Sequence, residues 1–274
     1  MTAVTEQVPQ ELYAVEEAWV KAGAATEGAR KKVAFVFGGE GTERADMGRD
    51  LYDRHPSFHE AVRRSSDAFA PYLRHPLTTV LYGETRRGGA PSDMTSAHAA
   101  VFTVEYALAE LCRSWAVHPD AVLGDGLGEY VAACVADVFS VEDAARLIAV
   151  RGRLMEATAQ LLGSEVGARG AGLAWWAGAE GAGSHGGGAP HAPLLAPHLP
   201  VFEKTAGEVA YAVPRIPVVS STTGDVVGRD IATAGYWVRH AMSPSRFDEA
   251  LALLERQDCG LLDISPRACR SRRD

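Results

Sequence analysis

Chemistry in this chain has one obvious place to start: Gly124-Asp125-Gly126-Leu127-Gly128-Glu129-Tyr130. Its spacing is that of the tight strand-to-helix turn written G-x-S-x-G, whose apex side chain projects as a nucleophile. The helix that opens at such a turn aims backbone N–H groups at a developing oxyanion. Here the apex is Gly126, so the scaffold is legible and the nucleophile has no side chain. A second glycine-rich segment, FGGEGTE at 37–43, follows a strand-like run. It lacks both the G-x-G-x-x-G spacing of a dinucleotide site and the Lys-Ser/Thr of a P-loop. Cys112, Cys134, Cys259 and Cys269 are widely separated with no CxxC pair. Asp125, His98 and His191 match no ligand spacing, so neither a metal nor a cofactor is expected.

The elements that must carry this turn follow from patterning. Lys32–Phe37 (KVAFVF) and Ala121–Asp125 (AVLGD) read as buried strands, each stopping at glycine. Ile216–Ser221 (IPVVSS) and Leu261–Ile264 (LLDI) read the same way. Helices are expected near Met47–Arg54 and Ser57–Leu73, separated by Pro56. A longer one runs from Ala97 to Trp115, with Val101, Val104, Leu108, Leu111 and Trp115 at helical spacing. Further helices are expected at Leu127–Ala136, Val141–Leu161, Leu194–Tyr211, Thr233–Ala241 and Ser245–Arg256. Strand, glycine turn, helix, repeated, is the grammar of an α/β domain with a parallel sheet flanked by helices. Ten glycines between Gly163 and Gly188, around Trp175-Trp176, read as a flexible loop.

Composition narrows the function. Lys+Arg 27 against Asp+Glu 35 gives a net charge of −8 over 274 residues. Nucleic-acid backbone binding needs clustered positive charge, and the only basic cluster is the tail Arg267, Arg270, Arg272 and Arg273. No apolar run reaches the roughly 18 residues that span a bilayer. The opening MTAVTEQVPQELYAVEE lacks the order of a signal peptide. A cytoplasmic protein that binds neither nucleic acid nor membrane is expected.

The stretch AVLGDGLGEYVAACVADVFSVEDAARLIAVRGRLM resembles the malonyl/acyl-CoA:acyl-carrier-protein transacylases, in particular the acyltransferase domains of modular polyketide synthases. So, in order, do VAFVFGGEGTE, DMGRDLY, PRIPVVSSTTGDV, YWVRHAMSPSRFDEAL and LLDISP. The resemblance implies an α/β-hydrolase-like large subdomain over 31–162 and 189–266. A polar linker or docking helix would occupy 1–30 and the basic tail 267–274. The family inserts a ferredoxin-like small subdomain before its catalytic histidine. The glycine-rich loop 163–188 stands in that interval, so the small subdomain is expected to be truncated or absent.

Carried over residue by residue, the family's serine falls on Gly126 and the histidine before it on Asp125. Its oxyanion-loop glutamine falls on Glu40 and a helix glutamine on His98, while Leu127 takes a substrate-contacting place beside the apex. Two positions survive: Arg151, where the family grips an acyl carboxylate, and His191, its catalytic base, in Gly-Ala-Pro-His-Ala-Pro-Leu-Leu. Arg151 has either a substrate carboxylate or one of Asp125 and Glu40 as its partner. Loss of a nucleophile of this kind costs on the order of 10⁶ in rate, roughly 8 kcal/mol. The reading is a non-catalytic acyltransferase-like protein of polyketide biosynthesis. It would act on an acyl carrier protein or another polyketide synthase component, with acyl-CoA as a further ligand. The alternative is an active transferase or thioester hydrolase working through His191 and Arg151 without a serine.

Overall fold

The first strand, β1 (Val33–Phe37), shows how the sheet is built. Val33, Phe35 and Phe37 face the larger core and Ala34 the smaller one, the period of two that a strand imposes. A computed structural model describes residues 32–44, 46–83, 93–166 and 199–268. The expected segments 1–30, most of 163–188 with Trp175 and Trp176, and the end of the basic tail lie outside these residues.

After β1 come helices α1 (Arg49–Arg54), α2 (Pro56–Phe69), α3 (Leu77–Tyr82) and α4 (Met94–Ser114). Then follow β2 (Ala121–Gly124), α5 (Leu127–Val135), α6 (Val141–Val166) and α7 (Leu199–Gly207). The chain closes with β3 (Val218–Ser220), β4 (Val226–Val227), α8 (Ala234–Met242), α9 (Phe247–Arg256) and β5 (Gly260–Asp263). The five strands lie in the order β4-β3-β2-β1-β5, all parallel but the short β4. This is the α/β architecture the patterning implies.

Register brings the site together. Phe37 pairs with Gly124, Gly124 with Ser220 and Val36 with Asp263, so β1, β2, β3 and β5 end along one edge. The loops leaving those ends gather there, the usual location of a ligand site in an open parallel sheet. Helices α2, α4, α5 and α6 cover one face and α9 the other.

Helix starts follow capping chemistry. The Asp93 carboxylate accepts from Ser96 N at 2.8 Å to open α4, and Ser140 Oγ accepts from Asp143 N at 3.0 Å to open α6. Pro56, expected as a separator, is the first residue of α2, where its missing N–H costs nothing. Helix α6 continues through Gly163 to Val166, past the point at which the loop was expected. Helix α3, of six residues, and strand β4, of two, are too short to show a period in the sequence. Among the described residues no helix is long and apolar enough to cross a membrane.

Candidate functional site

The turn after β2 forms because its glycines let α5 press against the sheet. A Cβ on Gly124 would collide with the Gly128 carbonyl. Asp125 N donates to Phe37 O at 2.9 Å and Gly128 N to Asp125 O at 2.7 Å, which closes the turn. At its apex Gly126 has φ 50° and ψ −108°, a conformation that side-chain-bearing residues rarely adopt. The strained geometry that suits an apical nucleophile is therefore present. Asp125 turns aside, its Oδ1 accepting from Ser245 Oγ at 2.6 Å.

Glu40 stands in front of the apex. Its Oε2 lies 3.1 Å from where a Cβ on Gly126 would be. Its Oε1 accepts from Arg151 Nη1 and lies 3.1 Å from His98 Nε2. The Arg151 and His98 side chains are 6% and 1% exposed, against 21% for Glu40. Arg151 Nη1 is also 3.5 Å from His98 Nδ1. A guanidinium only donates, so that contact assigns the His98 proton to Nε2, which faces Glu40. The Arg151 guanidinium carbon sits 5.9 Å from the centre of the Tyr130 ring, within cation–π range.

The charges follow from this packing. Burial raises the Glu40 carboxyl, but the Arg151 guanidinium and His98 outweigh it and hold it well below the usual carboxylate range. Burial lowers His98, against the pull of Glu40, and keeps its imidazole neutral near pH 7. Burial also works against Arg151, yet Glu40 and Tyr130 leave its net shift upward.

The loop presenting Glu40 is tied down on all sides. Gly39 N donates to Glu105 Oε1 at 2.8 Å, and Thr42 Oγ1 to Gly39 O at 2.6 Å. Gly41 N donates to Glu43 Oε2 at 2.8 Å, and Arg267 Nη2 to Gly41 O at 2.7 Å. Arg267, although exposed, thus helps to fasten the loop. Burial pushes Glu43 up to about 7 and Glu105 well above the ordinary carboxylate range.

Behind the turn lies a second acid, Glu129, with no exposed surface. Its Oε2 accepts from Ser221 N at 2.8 Å and from Ser221 Oγ, and its Oε1 accepts from Tyr236 Oη. His240 Nε2 is 3.6 Å from Oε2, and burial holds that imidazole neutral.

Residues 34–175 match the acyl transferase domain family. The chain belongs to that family. It is 34% identical over 273 residues to the spectinabilin polyketide synthase system protein NorB of Streptomyces orinoci, covering 85% of this chain and 12% of that protein. It is equally identical over 267 residues to the mycoketide-CoA synthase of Mycobacterium tuberculosis, covering 84% of this chain and 6% of that one. The chain thus spans a small fraction of the synthases it matches. Its fold superposes on the acyltransferase domain from the second module of the salinomycin polyketide synthase with a TM-score of 0.68. The two are 28% identical, and the match covers 92% of this chain and 69% of that one.

In this acyltransferase domain the structure brings Glu40, His98, Arg151 and Gly126 together and places Asp125 beside them. Leu127 is fully buried in the core, so its side chain does not line the site. His191 lies outside the described residues. Of the partners left open for Arg151, the structure supplies Glu40. Sequence reasoning missed Tyr130, Glu105 and the Glu129–Tyr236–Ser221–His240 group. The available signal was an acid set among apolar neighbours, in VFTVEYALAE and GLGEYVAACV. Among the described residues no cluster of three or more His, Cys, Asp or Glu side chains is placed to hold a metal.

Proposed function

We propose that this polyketide synthase acyltransferase-like domain is non-catalytic and acts by contact with a carrier protein, a ketosynthase or an active acyltransferase. One observation carries the reading: a carboxylate stands at the apex in place of an activated hydroxyl. Covalent acyl transfer requires a nucleophile that attacks the thioester carbonyl and a base that takes its proton. Gly126 supplies neither oxygen nor sulfur. Glu40 is a poor substitute, because a carboxylate held by a guanidinium is a weak base and a weak nucleophile. Its charge also lies beside the first turn of α5, the region where an oxyanion would need stabilising.

The polyketide synthases among the relatives support a partner drawn from such an assembly. The direct test is intact-mass measurement after incubation with malonyl-CoA, methylmalonyl-CoA and acetyl-CoA. No adduct is expected, and a stable acyl adduct on the chain overturns the proposal. A pull-down against carrier and ketosynthase components tests the contact role, with retention of one of them expected.

A further inference from the structure

The front of the turn is built like an anion site that already holds its anion. Arg151 and His98 converge on one Glu40 oxygen, and the other oxygen lies against the N-cap residue of α5. No side chain caps that helix, and its N-cap residue, Gly126, is the one that Glu40 Oε2 faces. The site has a donor to spare: Arg151 Nε is buried and has no hydrogen-bond acceptor among the described residues. Glu40 engages Arg151 through a single nitrogen, whereas a guanidinium fork can offer a free carboxylate two parallel hydrogen bonds.

We propose that Glu40 is a built-in carboxylate ligand of a binding site formed by Arg151, His98 and the first turn of α5. It is this internal ligand, not a loss of the site, that closes the site to external carboxylates. The carboxylate comes from a loop on the far side of the apex, 111 residues from Arg151, and not from the helix that carries the guanidinium. Truncating it should therefore leave the cationic wall standing and open a space of carboxylate size. The ligand class for that space is a small monocarboxylate or the free carboxylate end of a larger molecule. The inference rests on the geometry of the same site but not on its catalytic status. An acyl adduct on the parent would end the non-catalytic reading and leave this one untouched.

The test is chemical rescue of Glu40→Ala by formate, with formamide as the neutral molecule of the same size and chloride as the ionic control. At a tenfold excess over its dissociation constant, formate should raise the melting temperature of the variant by about 3–6 °C. It should leave the parent unchanged, and the response should vanish in the double variant Glu40→Ala/Arg151→Ala. An equal response to formate and formamide overturns the proposal, as does an equal shift in parent and variant. If Glu40→Ala does not fold unaided, refolding is run in formate and in chloride side by side. Recovery in formate alone supports the proposal; recovery in both, or in neither, overturns it.

Discussion

Two acids, one buried and one half-buried, flank the same turn and are satisfied in different ways. Glu129, behind it, has no exposed surface and is met by neutral donors: Ser221 N, Ser221 Oγ and Tyr236 Oη. Glu40, in front, is met by a full positive charge at one oxygen, while its other oxygen faces the apex. Glu129 joins α5 to the end of β3 and to α8, so it fixes the turn to the sheet. Glu40 reaches from the loop after β1 to Arg151 on α6 and His98 on α4, and it stands in the opening in front of the apex. Positioning groups surround a site on all sides, whereas an occupant touches only its walls. The back of the turn is framework and the front is a site with something in it.

Breaking the framework should cost most. Glu129→Ala leaves three donors without their acceptor inside the core, for about 4–5 kcal/mol of stability in urea denaturation. Glu129→Gln keeps the shape and loses the charge, and should cost less than half as much. A small effect of Glu129→Ala would show that the two acids are not different in kind.

The front should respond as a charge pair. Arg151→Ala strands the Glu40 carboxylate next to a neutral imidazole, at a cost of about 3 kcal/mol. Adding Glu40→Ala to that variant should recover most of the loss, since the uncompensated charge is gone. Additive losses would place Glu40 in the framework with Glu129. The pair also predicts acid sensitivity. The Glu40 carboxyl is depressed in the fold, so its stabilisation is present above about pH 4.5 and fades as pH falls toward the folded value.

These contrasts explain what could be read from sequence. The turn is legible because it depends on small residues within five positions, and the strands because β1 and β2 are unbroken apolar runs that stop at glycine. The acid partners are not. Arg151 finds Glu40 across 111 residues and Tyr236 finds Glu129 across 107, pairings set by strand order. Arg267 looked like a tail residue because nothing local shows that β5 returns beside β1 and brings it to the Gly41 carbonyl. Helix α6 outlasted expectation at Gly163 because a formed helix adds one hydrogen bond per residue. A single glycine, at about 1 kcal/mol, does not stop it.

A third acid sharpens the contrast within the Glu40 loop itself. Glu43 has its carboxyl raised to about 7, first by burial, and Glu40 is among the charges raising it further. The sign is opposite to that of Glu40. Between about pH 4.5 and 7 the folded state holds a proton that the unfolded state has released, so stability falls as pH rises through that window. Glu43→Gln, which keeps an acceptor for Gly41 N, should stabilise the protein by about 3 kcal/mol at pH 8 and leave it unchanged at pH 4. Equal effects at both pH values would mean that Glu43 does not titrate in this range.

The smallest effect belongs to the apex, where strain and occupancy can be separated. Gly126→Ala must adopt φ 50°, ψ −108°, which costs about 1 kcal/mol whatever stands nearby. In the parent the new methyl would also meet Glu40 Oε2 at 3.1 Å, closer than comfortable contact. Measured again with Glu40→Ala in place, the steric part should disappear and the backbone part remain. The difference between the two backgrounds is then a measure of how fully Glu40 occupies the nucleophile's space. No difference would mean that the carboxylate yields freely, and that the front of the turn is a surface rather than a filled site.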